Sequence, residues 1–430
     1  MANDDHHAAS QDIIEQFKQA VNNDDVAAAQ QLLQTHSFLK ANIDEPYFSF
    51  DTPAIVAAAA RGSRDMVDLL LEHGANINAK SSWWAGGFGV LHHDHHELSR
   101  YLISRGAQVD PHAAAALGML ETLKRMVEED PTVVNQRGPD GQVPLHFAAA
   151  REIIDFLLEH GADIDMKDID HEGTPAQWAV NDPDKCNYLL EKGAKPDIFI
   201  ACKLGDTALA RRILEANPDA VHARVGQGEF AAVHSDGGHI YEYTVGVGAR
   251  PLFLAAQLQH REMVDLLLQY SSPGQKFLLA CLEADKAAAE KILAEHPHLL
   301  REMSSEEQSV IGDAAWNHQT EAVRMMLEFG IEADARRSPQ SATALHLAAV
   351  KGYVDLVELL LEYNASVHEL NEFGGTPLGS CIWGSMHIRD PQGDYAAVAE
   401  RLIQAGAALP EKADGSEEVK QVLAKHGVPS

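Results

Sequence analysis

Four stretches of this chain concentrate side chains able to do chemistry. Lys80 to Glu97, KSSWWAGGFGVLHHDHHE, joins Trp83 and Trp84 to glycines, imidazoles and Asp94. Asp168 to Pro175 carries Asp170, His171 and Glu172 in succession. Gly226 to Arg250 holds His234, Asp236, Gly237, Gly238, His239, Tyr241, Glu242 and Tyr243. Trp383 to Tyr395, WGSMHIRDPQGDY, adds Trp383, His387 and Asp394. Aromatic faces beside carboxylates suit sugars, cations and Arg-rich peptides, which bind by stacking and charge-assisted hydrogen bonds.

The carboxylates also admit acid/base work. A glycosidase needs two carboxyls roughly 5 to 9 Å apart across the bond it cuts. Glu172 and Glu242 are the candidates for that pair, with Asp170 and His171 as an acid/base set and Asp94, Asp170, Asp236 and Asp394 as substitutes. The run His92 to His96 suggests a metal, because imidazoles four apart share a helix face. It falls at a turn, however, and lacks the Glu spacing of a zinc hydrolase, so no metal is assigned. Nothing calls for a cofactor. Each feature also has a plain structural use: polar residues are ordinary at exposed turns, Trp178 falls where side chains point into the core, and the insertion at 226–250 fits a flap as well as a ligand lid.

The elements that position these residues come from a repeat. Met66 to Ala79 reads MVDLLLEHGANINA, Ile153 to Met166 reads IIDFLLEHGADIDM, and Leu356 to Val367 reads LVELLLEYNASV. Ahead of these helices lie short helix starts such as Val143-Pro144-Leu145-His146, Thr174-Pro175, Thr343-Ala344-Leu345-His346 and Thr376-Pro377-Leu378. Thr is a good N-cap, and Pro at the first helical position lacks only an amide that would be orphaned there. Alanine pairs such as Ala148-Ala149 and Ala348-Ala349 allow close stacking, and a glycine ends each second helix. Gly74 to Gly106 and Gly161 to Gly193 are both 32 apart.

These motifs resemble the ankyrin-repeat family, over about 90% of the chain in roughly a dozen units, some of them degenerate. The resemblance implies an all-α ankyrin-repeat solenoid of stacked helix-turn-helix units with projecting turns. The alternation at the end of the insertion predicts a β-hairpin there. Residues 1–50 are expected to form an N-terminal helical cap, 51–413 the repeats with the 226–250 insertion, and 414–430 a C-terminal capping helix. The WWAGGFGVL and DHE-x-TPAQ turns also resemble a subset of large bacterial ankyrin proteins.

Family members bind through the projecting turns and through inner-helix positions just after the alanine pair. By register those positions are His93, Asp94, Asn181, Asp182, Trp316, Asn317 and Trp383. The expected ligand-binding set is therefore Trp83, Trp84, His93, Asp94, Asp182, His239, Tyr241, Tyr243, Trp316, Trp383 and His387. His146 and His346 are expected to tie neighbouring turns together instead.

Composition narrows the partner. With 34 basic against 64 acidic residues the net charge is −30, which repels nucleic acid and anionic membranes. Four isolated cysteines in apolar helical stretches point to a reducing compartment, and no signal peptide or apolar span is visible, so the expected location is cytoplasmic. The leading expectation is a binding scaffold for a protein partner or a neutral polar ligand, presented on an acidic, aromatic-lined groove. The alternative is a carbohydrate-active hydrolase or lyase in that groove.

Overall fold

A computed structural model describes residues 2–234, 237–336 and 341–429. Among these residues every regular element is helical, and the extended pairings are two isolated bridges, Phe48 to Thr52 and Lys80 to Gly89. The chain divides into two compact units, Met1–Ile213 with Ala223–Arg250 and Leu214–His222 with Pro251–Ser430.

In the first unit, short inner helices alternate with longer outer ones. Ala54–Ala60, Pro111–Ala116, Pro144–Phe147, Pro175–Trp178 and Ile198–Leu204 are inner, while Arg64–Glu72, His96–Ser104, Leu120–Glu129, Arg151–Glu159 and Pro183–Glu191 are outer. Alanines of the inner layer, such as Ala57, Ala58, Ala59, Ala113 and Ala114, are buried, so backbones approach closely. Outer leucines, including Leu70, Leu102, Leu123 and Leu157, close the layer from outside. Ala2–Asn22, Val26–Thr35 and Ser37–Ala41 precede the first repeat, with Phe17 buried edge-on to Phe48. The second unit repeats the scheme from Pro251–Gln257 to Tyr395–Gln404, and Glu417–Lys425 closes it.

Two polar devices set the spacing between repeats. One is an imidazole: His146 Nδ1 accepts from the Val143 amide at 3.1 Å, and its Nε2–H donates to Gly173 O at 3.1 Å in the next repeat. His346 does the same between Thr343 and the Glu369 and Gly375 carbonyls. The other is an Asp or Asn in the turn after the outer helix. Asp44 accepts from Asn76 N, Asn78 from Gln108 N, Asn135 from Asp163 N, Asp165 from Lys195 N and Asp334 from Ser366 N, each one repeat onward. These residues serve the stack, leaving function to the positions that break the pattern.

One expectation about local structure fails. The 226–250 insertion is no hairpin: it contains a single 3-10 turn at Gly228–Phe230 and a one-turn π-helix at Glu242–Gly246. Among its described residues none pairs with a strand, and amides bond to the body instead, Ile240 N to His171 O at 3.0 Å and Val233 N to the Glu172 carboxylate at 2.7 Å. The Gly-rich stretch after Lys80 forms no inner helix; from Ser81 to His95 the chain is irregular and only the outer helix His96–Ser104 follows. His92 still performs the turn-tying task, accepting from Gly89 N at 2.9 Å and meeting Asp110 at 3.1 Å.

Burial holds the His146 imidazole down to about 4. The unfolded value is near 6.5, so between these values the unfolded chain binds more protons, and stability present above about pH 6.5 is lost as pH falls toward 4. Denaturant midpoints should therefore show about 2 kcal/mol of His146-dependent loss between pH 7 and pH 5. His146→Ala should be less stable at pH 7 and flatter over that interval. An unchanged pH slope in the variant contradicts this account.

Candidate functional site

The missing inner helix leaves a cleft in the first unit. It has a volume of about 1160 Å³ and is lined by Phe50, Trp83, Trp84, Asp140, Asp170, His171, His234 and Tyr243 among others. Three of the four departures from the repeat thus meet here. The fourth, with Trp383, belongs to the other unit.

The aromatic wall comes from two neighbouring turns. Phe50 packs edge-on to Trp83 with ring centroids 5.1 Å apart, and Trp83 lies 6.1 Å from Trp84, which is 55% exposed. The loop reaches this position because Gly86, at φ +148°, sits on the next turn: a Cβ there would lie 1.8 Å from Gly138 O.

The polar floor comes from the turns at 139–141 and 168–173. Asp168, buried, organises the second of these by accepting from His171 N at 2.5 Å, Gly173 N at 2.8 Å and Trp178 Nε1 at 2.8 Å. The Asp140 carbonyl accepts from the amides of Ile169 and Asp170 at 2.9 and 3.1 Å, so the two turns are clamped. Asp140, Asp170 and His171 consequently bring one ligand atom each within 4.8 Å of one another. Burial, then the charge of Asp170, pushes the Asp140 carboxyl up to about 6. The Trp83 indole N–H, closed to solvent and without a well-formed hydrogen bond, tempers that rise.

The insertion roofs this floor. His171 Nδ1 donates to Gly238 O at 3.0 Å, the His171 ring packs 4.9 Å from Tyr243, and the Tyr243 hydroxyl donates to Gly237 O at 2.5 Å. Gly237 permits the approach, since a Cβ there would meet Asp170 Oδ1 at 2.8 Å. Glu172, at φ +48°, accepts from both Val233 N and His234 N at 2.7 and 2.8 Å. Although burial opposes it, those two amides hold the Glu172 carboxyl below its ordinary value.

The expected residues therefore separate. Trp83, Trp84, Asp170, His171 and Tyr243 converge on the cleft. Glu172 and Glu242 do not line it; Glu172 is occupied in anchoring the insertion, and Glu242 packs against Gly238. His239 and Tyr241 are buried rather than presented to a ligand. Tyr241 donates to Asp197 at 2.7 Å, where burial raises both groups, and burial takes His239 down to about 4. Asp236 lies outside the described residues.

His93, Asp94 and Asp182 line a neighbouring cleft of about 710 Å³ with His146, Arg151 and Lys185, and Asp182 also caps Pro183–Glu191 through Lys185 N. In the other unit the Lys351 ammonium lies 4.8 Å over the Trp316 ring, while Trp383 stacks on His387 at 4.6 Å. Asp394 caps Tyr395–Gln404. Sequence reasoning missed Asp140 and Asp168. The only sequence signal for Asp140 is the Pro139-Asp140-Gly141 turn, one repeat before Asp170.

Family-level comparison finds ankyrin repeats at residues 111–200, 277–371 and 311–388, and a further ankyrin repeat at 51–82, together more than half of the chain. Ankyrin repeat domain-containing protein SAT10 of Stachybotrys chartarum is 24% identical over 391 residues, covering 81% of this chain and 18% of that protein. Ankyrin repeat and SAM domain-containing protein 6 of Mus musculus is 32% identical over 130 residues, 29% of this chain and 14% of that protein. The chain thus spans less than a fifth of either relative. Among solved structures, the human ASB11 ankyrin repeat domain matches at 19% identity with a TM-score of 0.25, over 70% of this chain and 99% of that one.

Replacing Glu172 by Ala removes two charge-assisted anchors of the insertion, a loss of about 1.5 to 3 kcal/mol. Hydrogen exchange at Val233 and His234 should then accelerate by about tenfold or more. Exchange should stay unchanged in Arg64–Glu72. Equal protection of the insertion in both proteins would contradict the anchoring role.

Proposed function

The chain belongs to the ankyrin-repeat family, and from that premise we propose that it is a binding scaffold whose recognition site is the cleft of the first unit. The repeats make a protein-interaction scaffold. Within it, the cleft receives a neutral, hydroxyl- or amide-bearing group, either a small polyol or a polar segment projecting from a protein partner. One observation carries this reading: three interruptions of the repeat, far apart in sequence, meet on a single aromatic-walled cavity.

The chemistry supports that class of ligand. Phe50, Trp84 and Tyr243 are exposed, and their faces are available for stacking. Asp170 and His171 lie beneath them as hydrogen-bonding groups held in place from behind, an arrangement that fixes ligand orientation with little reordering. The four cysteines are buried thiols outside any disulfide, which supports the reducing setting expected from the sequence. No helix among the described residues is long and apolar enough to cross a membrane.

The same convergence favours a second reading, a carbohydrate-directed hydrolase or lyase. In that case Asp170 and His171, rather than Glu172 and Glu242, would face the substrate. The two readings differ in one result: release of new reducing ends from a sugar that the protein binds.

Thermal unfolding with a panel of neutral oligosaccharides and basic peptides tests the site. A ligand at about 100 times its Kd adds about 2.7 kcal/mol of stability. We expect stabilisation by an oligosaccharide that Trp84→Ala reduces by at least half and Trp83→Ala abolishes. An equal response in both variants would move the site away from the cleft. Reducing-end release that Asp170→Asn stops would establish the enzyme reading.

A further inference from the structure

We infer that Asp140, Asp170 and His171 form a binding site for a divalent first-row transition-metal ion at the floor of the cleft. The inference rests on the reading of the cleft as a ligand site for its purpose, but not for its test.

Geometry carries the argument. Among the described residues, this is a group of three whose ligand atoms all lie within 4.8 Å of one another, with His171 Nε2 3.7 Å from Asp170 Oδ2. An ion held at about 2.1 Å by each donor keeps its donors roughly 3 to 4 Å apart. Sub-ångström closure of side chains is enough. The backbone already holds the turns in register through the Asp140 carbonyl and the amides of Ile169 and Asp170.

Two further observations point to an ion. The first is the state of His171. Its Nδ1 faces a carbonyl, Gly238 O, and can only donate there, which leaves Nε2 as the nitrogen turned toward the carboxylates. A ring fixed from behind by a backbone carbonyl, with its other nitrogen turned toward carboxylates, is the arrangement that orients imidazole ligands in metal sites. The second is Asp140 Oδ1, which is closed to solvent and meets no well-formed hydrogen bond, the Trp83 indole N–H beside that carboxyl included. A buried carboxylate oxygen so poorly satisfied is costly, more so beside the carboxylate of Asp170, which is 4% exposed. A cation between the two carboxylates would satisfy Asp140 Oδ1 and offset the repulsion between the two charges.

The donor set selects the class of ion. One imidazole and two carboxylates suit zinc(II) or manganese(II), whereas calcium prefers oxygen donors alone. Three protein ligands would leave at least one coordination position open, at a cleft that Trp84 and Tyr243 also line. A hydroxyl or carbonyl oxygen of the bound group would complete the shell. The His92 to His96 run takes no part: His92 and His95 are engaged with Asp110 and the Ala60 carbonyl, and His93 lines the other cleft.

The test is calorimetric titration of the full chain, stripped with chelator, with zinc(II) and separately manganese(II), and with no organic ligand present. We expect one site, weakened at least about tenfold by Asp140→Asn and by His171→Ala. The double variant His93→Ala/His95→Ala should retain it. Circular dichroism and the unfolding midpoint verify that each variant is folded. Should the His171 variant be misfolded, the near-isosteric Asp140→Asn decides alone. Affinity equal in wild type and Asp140→Asn, absence of a site tighter than millimolar, or loss that follows only the His93/His95 pair would overturn the inference. Metal binding without any response to the oligosaccharide panel would leave the ion site standing and remove the ligand reading. The reverse pattern would do the opposite.

Discussion

The turn-tying imidazole is the interaction on which the rest of the first unit depends. His146 satisfies the start of its own helix and the carbonyl of Gly173 in the next repeat at once. Because the ring is rigid, it sets both the height and the direction of the next turn. Gly173 is the end of the Asp168 turn, so the position of Asp170 and His171 is inherited from a bond made one repeat earlier. His92 makes the same kind of bond where no inner helix exists, and the repeat spacing survives the loss of that helix. The cleft is thus a gap in a frame whose pitch is held by polar ties rather than by packing at that point.

The insertion shows how a segment without regular structure becomes ordered. It buries Tyr241, Phe230 and His239 on one side and hands its amides to Glu172 on the other. Phe199 and Phe230 meet edge-on at 4.8 Å beside Tyr241, an aromatic cluster that gives the loop a small core of its own. The hydroxyl of Tyr241 ends on Asp197, which is also the cap of Ile198–Leu204, so the loop is fastened to the start of an inner helix. Two anchors of different chemistry, one carboxylate at the rim and one aromatic plug beneath, hold Gly237 and Gly238 over His171.

The repeat was legible in the sequence because it is written in residues that answer local demands: Thr and Pro at helix starts, glycine at helix ends, alanine where backbones touch. The places of interruption were legible for the same reason, as failures of those rules at Gly86, Gly87 and Gly237. What the interruptions became was not. The alternation of His239, Tyr241 and Tyr243 has the period of a strand, but a strand needs a partner edge, and here the nearest acceptors belong to a turn. Glu172 was conspicuous among candidate catalytic groups, yet its carboxylate answers two backbone amides contributed from more than 60 residues away. Asp140 was inconspicuous, since Pro-Asp-Gly is an ordinary turn, and only the clamp between successive turns brings it beside Asp170.

The unformed inner helix has a consequence for how such a site arises. Gly74 and Gly106 flank that repeat at the same spacing of 32 residues as Gly161 and Gly193, so the cavity coincides with a repeat of undiminished length. In a stack where each unit touches only its neighbours, replacing a few helix-forming residues by glycines empties one position while the flanking units keep their contacts. A cavity of this kind is open to gradual acquisition, and equally to gradual loss, by substitutions confined to a single repeat.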